Sequence, residues 1–313
     1  MTAKMFCVKD AIILFSHGSL LCGAGETLKR IAAFMRERGD APIVEPGYLN
    51  YSKPPFAEAV ESCVQQGATR VIVAPYFLVA GKFVQVDLKP KIAAAREKFP
   101  DVEFRLAGAM TSHSSLTKAI IDCARRAALP AQWRDIWNTA PRFCQSNPDC
   151  PLYDTPKCPA TNASSRQSAV ASEQVTYNLG EAVSDYRLQS STSLLVMVHG
   201  SPRPESNEAM FQVVEQVRQR DMFERIEVGF MECNEPDIPT AIENLLAQGA
   251  RKIIAVPYFL HAGTHVADDL PGLLEAAQAQ NPDVEFLMGD YIGRDLRVAD
   301  VMRDRVRETL ENQ

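Results

Sequence analysis

A single internal repeat constrains this chain more than any other feature of its sequence. The tripeptide HGS occurs at His17 and again at His199, an offset of 182 residues (199 − 17). The same offset aligns the two occurrences of PYFL and the two occurrences of PDVEF without a gap. Between residues 11–110 and 193–292, 31 of 100 positions are identical. The chain is therefore a duplicated domain with a spacer between its two copies.

Within each copy, short apolar runs rich in β-branched residues alternate with longer amphipathic segments. The predicted strands of the second copy lie near Ser193–Val198, Ile226–Met231, Lys252–Phe259 and Val284–Gly289. This alternation predicts an α/β fold of two tandem lobes, each a parallel sheet with helices on both faces. We expect an N-terminal lobe at 1–129, a spacer at 130–192 and a C-terminal lobe at 193–313.

The composition excludes several classes of protein. With 46% hydrophobic and 23% charged residues, the 313 residues have the composition of a globular protein of about two domains. The formal net charge of −6 argues against a nucleic-acid partner. The apolar run at 11–15 is too short for a signal peptide or a membrane span, so we expect a cytoplasmic protein with no membrane partner. Eight cysteines in a chain of this length fit a reducing compartment.

Polar side chains follow three successive predicted strands of the second copy. His199 follows the first strand, Glu232 the second, and His261 and His265 the third. The carboxyl ends of parallel strands form the edge where open α/β sheets bind ligands, so we expect these residues to converge on one crevice. Two or three imidazoles and a carboxylate are suitable ligands for a first-row divalent metal.

The first copy lacks most of these groups. At the matching positions it has His17, Asn50, Val79 and Phe83, so only the HGS histidine remains. We therefore predict that the copies have divided their roles and that the second copy carries the metal site. The alternative for His17 is a histidine that only bonds the backbone at a strand end.

Several residues near the predicted helix ends have a structural interpretation. Asp268 and Asp269 are expected to begin a helix, because carboxylates stabilise the positive end of its dipole. Asp87 keeps this place in the copy without the second histidine, which supports that interpretation. Asp295 is a further predicted N-cap, and Gly249 is a predicted helix stop.

Together these residues resemble the CbiX and SirB family of sirohydrochlorin chelatases. The resemblance rests on HGS after a first strand, Glu232 after the second, GA before the third and then PYFLHAGTHVADDLP, and it covers both copies. It implies a two-lobed enzyme that binds its tetrapyrrole in a cleft between the lobes. His199 and His265 would then handle the metal with Glu232, while His17 and Phe83 would bind the macrocycle.

The implied reaction is the insertion of a divalent metal, Co²⁺ or Fe²⁺, into sirohydrochlorin in cobalamin or siroheme biosynthesis. The metal is a substrate, and no organic cofactor is implied. A duplicated chain can form internally the cleft for which a single-domain relative needs a dimer, so we expect a monomer with an internal pseudo-dimer. The substrate's carboxylates need cationic partners, for which the candidates are Lys82, Arg203 and Arg294.

The spacer holds three cysteines, Cys144, Cys150 and Cys158, as candidate ligands of a metal or an iron–sulfur cluster. Their C-x5-C-x7-C spacing lacks the close CxxC pair of such sites, which favours spectator thiols over a cluster. Two other functions stay open at this point: a non-catalytic tetrapyrrole or metal carrier, and a chelatase for another tetrapyrrole. The complete donor set in one copy favours catalysis, because a carrier has no need for a proton acceptor.

Overall fold

The computed structural model describes residues 8–19, 23–137 and 191–312. In the first half of the chain these residues form four strands and five α-helices. Their bounds are β1 Asp10–Ser16, α1 Glu26–Glu37, β2 Ile43–Tyr48, α2 Phe56–Gln65, β3 Arg70–Pro75, α3 Lys89–Lys98, β4 Glu103–Leu106, α4 Ser114–Arg125 and α5 Pro130–Trp137. A π-helix, Phe83–Leu88, leads directly into α3.

The second half repeats this order of elements. Their bounds are β5 Ser193–Val198, α6 Pro204–Arg218, β6 Arg225–Phe230, α7 Ile238–Ala247, β7 Lys252–Pro257, α8 Leu270–Gln280, β8 Glu285–Met288 and α9 Val298–Glu311. A second π-helix, His265–Asp269, leads into α8. None of the described helices is long and apolar enough to cross a membrane.

Each copy builds one four-stranded parallel sheet. The strand orders are β2-β1-β3-β4 and β6-β5-β7-β8, so the first strand of each copy lies between the second and the third. β1 is buried from its second residue onward and β5 over its whole length, as expected for strands covered on both faces. The predicted α/β fold class is confirmed. The observed strands of the second copy begin and end within two residues of the predicted ones.

Alternate residues of the central strands build the core that holds the helices on each sheet. In the first sheet, Phe15 of β1 packs edge-on against Phe56 of α2, with 5.5 Å between ring centroids. In the second sheet, Leu195 and Met197 of β5 share a core with Ile238 of α7. Because the buried strands are held in register on both sides, the residues that follow their carboxyl ends have fixed positions.

The described residues cluster into two compact units whose bounds differ from those of the two repeats. Among the described residues, unit 1 combines 8–19 and 25–113 with 296–312, and so contains α9 of the second copy beside the first sheet. Unit 2 combines, among the described residues, 23–24, 114–137 and 191–295, and so contains α4 of the first copy beside the second sheet. Within unit 1, α9 packs on α1 and β3, and within unit 2, α4 packs on α6 and β7. The last helix of each copy thus completes the layer around the other copy's sheet.

The beginning of the predicted spacer is also part of unit 2. Trp133 of α5 is 3% exposed, and its indole N–H donates a hydrogen bond to the carbonyl of Met288. Ala128 and Met288 exchange two backbone hydrogen bonds of 2.9 and 2.8 Å. Residues 130–137 are therefore packed against the second sheet, and residues 138–190 of the spacer lie outside the described part of the chain.

The helix ends confirm one sequence prediction and contradict two. Gly249 follows α7 with φ of 90°, the left-handed conformation of a helix stop, as predicted. The N-cap predicted at Asp268 is wrong, because the helical segment already begins at His265. The N-cap predicted at Asp295 is wrong as well, since α9 begins at Val298 and the buried Asp295 carboxylate accepts a hydrogen bond from Arg126 (3.3 Å).

Candidate metal centre

Three strand ends of unit 2 supply the candidate metal ligands. β5 lies between β6 and β7, with Val198 level with Phe230 and Met197 level with Pro257. His199 directly follows β5, and Glu232 lies two residues beyond β6. His265, which is carried past the end of β7 by a loop, is the first residue of the second π-helix. The neighbouring strand ends are therefore the reason why residues distant in sequence can meet.

The three side chains form a group that can hold a metal ion. One ligand atom each from His199, Glu232 and His265 lies within 4.8 Å of the others. The two imidazole rings meet edge to face, with 5.3 Å between centroids and 70° between planes. His199 and Glu232 are exposed, and His265 is half-buried. A bound ion would therefore keep open positions toward solvent, which is typical of sites that exchange their ligands.

The hydrogen bonds of the two imidazoles decide which ring nitrogen is available to a metal. The Nδ1 atom of His199 donates to the carbonyl oxygen of Gly200 at 3.2 Å, and Nδ1 of His265 donates to Asp269 Oδ2 at 2.8 Å. Carbonyl and carboxylate oxygens only accept, so Nδ1 carries the proton of each neutral ring. The Nε2 lone pair of each histidine is therefore the one left for a metal.

The glycine of HGS allows the His199 and Glu232 segments to approach each other. Gly200 has φ of 93°, and a Cβ atom placed on it would lie 1.9 Å from the carbonyl oxygen of Glu232. The amide of Glu232 in turn donates to the carbonyl of His199 at 2.9 Å. A side chain at Gly200 would both strain the backbone and push the carboxylate segment away, so the motif requires glycine here.

A π-helix begins at the second histidine in place of a regular α-helix. π-helices are rare, and those that occur are frequent at functional sites. The segment His265–Asp269 runs without interruption into α8, and Val266 anchors it in the core. The first copy keeps this element at Phe83–Leu88, although it lacks the histidine. The backbone of the site is therefore present in both copies.

The equivalent edge of unit 1 carries an aromatic cluster. The ring of His17 lies 4.4 Å from that of Phe83 and 5.6 Å from that of Tyr51, and Phe77 stacks on Phe83 at 5.9 Å. Phe83 is 37% exposed and Tyr51 is 52% exposed. Around His17 the described residues contain no group of three potential metal ligands. Unit 1 therefore presents an apolar, aromatic surface where unit 2 presents donors.

The remaining predicted site residues differ in their surroundings. His261 is half-buried and does not belong to the group, so its assignment to the metal stays a prediction. Lys82 and Arg203 are exposed, whereas Arg294 forms an ion pair with Asp290 (3.3 Å). The candidate cluster ligands lie outside the described residues; they are Cys144, Cys150 and Cys158.

Two of the described cysteines are unsuited to metal binding. Cys63 and Cys123 are fully buried. Burial, with a smaller contribution from Glu45, raises the pKa of the Cys63 thiol to about 12. Burial likewise holds the pKa of Cys123 well above the ordinary range. Both therefore stay protonated thiols, and metals bind the thiolate.

Sequence reasoning missed two contacts at these edges. Asp269 was expected to begin a helix, but its carboxylate contacts the ring of His265 four residues earlier. The i, i+4 spacing of an acid and a histidine in a helical segment is the signal that could have revealed this pair. Tyr51, which packs on His17, carries no comparable signal.

Comparison with known proteins identifies the family of this fold. The CbiX family model matches residues 11–127 and 193–309. A sirohydrochlorin cobaltochelatase of Methanococcus aeolicus is 34% identical in an alignment of 139 residues that covers 37% of this chain and 97% of that protein. One of Priestia megaterium is 20% identical over 304 residues, covering 97% of this chain and 81% of that protein.

Among solved structures, SirB from Bacillus subtilis with Fe³⁺ has the same fold. It aligns with a TM-score of 0.68 at 17% identity and covers 97% of both chains. The family model spans both repeats, and thus well over half of the sequence. The duplicated chain with its HGS turns and its paired histidines therefore belongs to the CbiX family.

Proposed function

We propose that this protein is a sirohydrochlorin chelatase that inserts a divalent first-row metal into the tetrapyrrole, in cobalamin or siroheme biosynthesis. The observation that carries the proposal is the group of His199, Glu232 and His265 at one sheet edge. Membership of the CbiX family supports the choice of reaction. The matching relatives from Methanococcus and Priestia are cobaltochelatases, which makes Co²⁺ the first metal to test and Fe²⁺ the second.

Metal insertion makes two demands on such a site. The metal exchanges its water ligands for four ring nitrogens, so the protein must bind it through few ligands. The free-base macrocycle also loses two pyrrole protons, which the site must accept. His199 and His265 can each offer Nε2, and Glu232 adds one carboxylate, which leaves the remaining positions of the ion for water and macrocycle.

The same residues can take up the protons. A neutral imidazole whose Nε2 lone pair is released by the departing metal can accept a proton from a pyrrole nitrogen. The Glu232 carboxylate is exposed and can pass protons to solvent. Each turnover then converts one metal ion and one free-base tetrapyrrole into one metallated product and two protons.

The aromatic cluster of unit 1 offers a surface for the macrocycle. The flat conjugated ring of a tetrapyrrole packs favourably on aromatic side chains, and the ring of Phe83 is more than one-third exposed. His17 packs on Phe83, so the two side chains form one surface. Lys82 neighbours Phe83 and is exposed, and with the exposed Arg203 it is a candidate partner for the substrate's carboxylates.

An anaerobic absorbance assay with sirohydrochlorin tests this function. Wild-type protein and the His265→Ala variant are each mixed with a tenfold excess of sirohydrochlorin and with Co²⁺, Fe²⁺, Ni²⁺ or Zn²⁺ in turn. A chelatase forms metallated product well beyond one equivalent of protein, and the variant does not. A reaction that stops at one equivalent would indicate a carrier, and equal rates for both proteins would contradict the site.

A further inference from the structure

The side chain of Asp269 makes a direct contact with one of the candidate metal ligands. Its Oδ2 atom lies 2.8 Å from Nδ1 of His265, one helical turn earlier. The two side chains are 47% and 42% exposed. The contact itself therefore adds little stability, since even fully charged exposed pairs are worth only about 0–1 kcal/mol. Its effect must be sought in the orientation of the histidine.

A carboxylate at Nδ1 determines both the tautomer and the direction of the imidazole ring. An ionised carboxylate can only accept a hydrogen bond, so the proton of His265 resides on Nδ1 and its lone pair on Nε2. The contact also restrains rotation of the ring, which packs against the ring of His199. A carboxylate–histidine pair of this kind fixes the ligand in many metal sites and raises its basicity.

Helix capping does not account for the position of this carboxylate. Asp269 is the residue before α8, but its side chain accepts no hydrogen bond from the first turn of that helix. Its backbone is helical, with φ of −67° and ψ of −49°, and an N-cap residue usually has an extended backbone.

The duplication provides an internal control for a purely structural role. Asp87 occupies the equivalent position in the first π-helix, where Phe83 stands in place of the histidine. A phenyl ring has no nitrogen that Asp87 could bond. Any contribution of the acid to the π-helix or to the helix dipole is therefore common to both copies, and a contribution through the histidine exists only in the second.

We infer that Asp269 is a positioning residue of the metal centre, which holds His265 with Nε2 directed at the ion shared with His199 and Glu232. The inference rests on the proposed metal site and adds to it the residue that prepares one ligand. His199 needs no such partner, because the carbonyl of Gly200 accepts its Nδ1 proton.

The test is an anaerobic Co²⁺ titration of the full-length protein, followed by the visible d–d absorption of the bound ion. Five proteins are compared: wild type, Asp269→Ala, Asp269→Asn, Asp87→Ala and His265→Ala. The Asn side chain keeps an oxygen acceptor for Nδ1 and removes the charge. We expect Asp269→Ala to weaken Co²⁺ binding about 10- to 100-fold and to alter the d–d spectrum. Asp269→Asn should restore most of the affinity, and Asp87→Ala should bind as the wild type does.

Thermal unfolding of the same proteins separates positioning from folding. Asp269→Ala and Asp87→Ala should lose similar, small amounts of stability. If Asp269→Ala binds Co²⁺ with wild-type affinity and spectrum while His265→Ala does not, the inference is wrong and the metal site stands. If His265→Ala also binds as the wild type does, the proposed metal site itself is wrong, and the role of Asp269 with it.

Discussion

The two sheet edges of this chain share a backbone and differ in their side chains. Gly18 and Gly200 have φ of 86° and 93°, and each places a hypothetical Cβ 1.9 Å from a carbonyl oxygen of the neighbouring segment. The amides of Asn50 and Glu232 donate to the preceding HGS histidine carbonyls at the same distance, 2.9 Å. Both copies also keep a π-helix after the third strand. Both copies thus have the backbone arrangement of the site, and the second copy alone has the full set of donor side chains.

Most of the side chains that replace the second copy's polar groups at the first edge are apolar or aromatic. Where the second copy has Glu232, Cys233, His265 and Asp268, the first has Asn50, Tyr51, Phe83 and Val86. Three of these four replacements are large apolar or aromatic side chains that remain exposed. Exposed apolar side chains that cluster are typical of binding surfaces. The comparison therefore teaches that an edge without this donor group can still present a surface suited to a flat ligand.

The largest expected effect comes from removing a donor from one copy. His265→Ala should lower the rate of metal insertion by about two to four orders of magnitude, because it removes both a metal ligand and a proton acceptor. His17→Ala, which removes the histidine kept at the equivalent edge of the first copy, should have a smaller effect. Steady-state insertion of Co²⁺ into sirohydrochlorin measures both. An inactive His17 variant beside a fully active His265 variant would reverse the assignment of the two copies.

Restoring the donors to the first copy should create a second metal site. The double change Asn50→Glu and Phe83→His places a carboxylate and an imidazole on a backbone that matches that of the second copy. We expect one additional Co²⁺ per chain in equilibrium dialysis. Phe83→His alone, which lacks the carboxylate, is the control and should bind this ion more weakly. If the double variant binds no additional Co²⁺, the backbones at the two sheet edges are not equivalent.

Shortening the aromatic side chain should affect substrate binding more than chemistry. Phe83→Ala removes a ring that packs on His17, and we expect KM for sirohydrochlorin to rise about 2- to 10-fold while kcat changes little. Phe83→Tyr keeps the ring and should stay close to the wild type. A loss confined to kcat would argue against a binding role for this surface.

The smallest effect concerns a helix cap that only the second copy has. Asp237 caps α7 by accepting a 2.8 Å hydrogen bond from the amide of Thr240, whereas Pro55 at the equivalent position of α2 makes no side-chain cap. Asp237→Ala should destabilise the protein by about 1 kcal/mol, measured by urea unfolding at neutral pH. An unchanged midpoint would show that this cap contributes nothing.

The same cap has a defined pH dependence. The hydrogen bonds with Thr240 lower the pKa of Asp237 in the folded state. The contribution of Asp237 to the free energy of unfolding is therefore fully present above the ordinary pKa of an aspartate, about 4. It is lost as the pH falls through the lowered pKa of the folded state. Asp237→Asn keeps an oxygen acceptor that does not titrate, so the difference between wild type and this variant should shrink in acid.

Much of the fold and of the donor set can be predicted from the sequence, because both depend on the local pattern of apolar and polar residues. Buried parallel strands have continuous apolar sequences. Because the repeat contains no gap, each strand or helix boundary predicted in one copy gives the boundary in the other. Strand order in α/β sheets then brings His199, Glu232 and His265 to one edge.

Other features depend on tertiary contacts that no local pattern reports. The repeat defines α4 and α9 as equivalent helices, but which sheet each one covers is decided by packing across the chain. Trp133 was predicted to lie in a spacer, and its burial against Met288 depends on a distant strand. In the sequence, Asp269 cannot be told from an acidic residue that begins a helix. The position of the His265 ring is what shows that its carboxylate contacts the histidine.

The central claim is that the metal binds in the second copy. Crystals of the full-length protein soaked anaerobically with Co²⁺ can locate the ion through its anomalous scattering. We expect one strong peak at a coordination distance of about 2.0–2.3 Å from Nε2 of His199, Nε2 of His265 and a carboxylate oxygen of Glu232. A peak beside His17 and Asn50, with none at the second-copy group, would contradict the account.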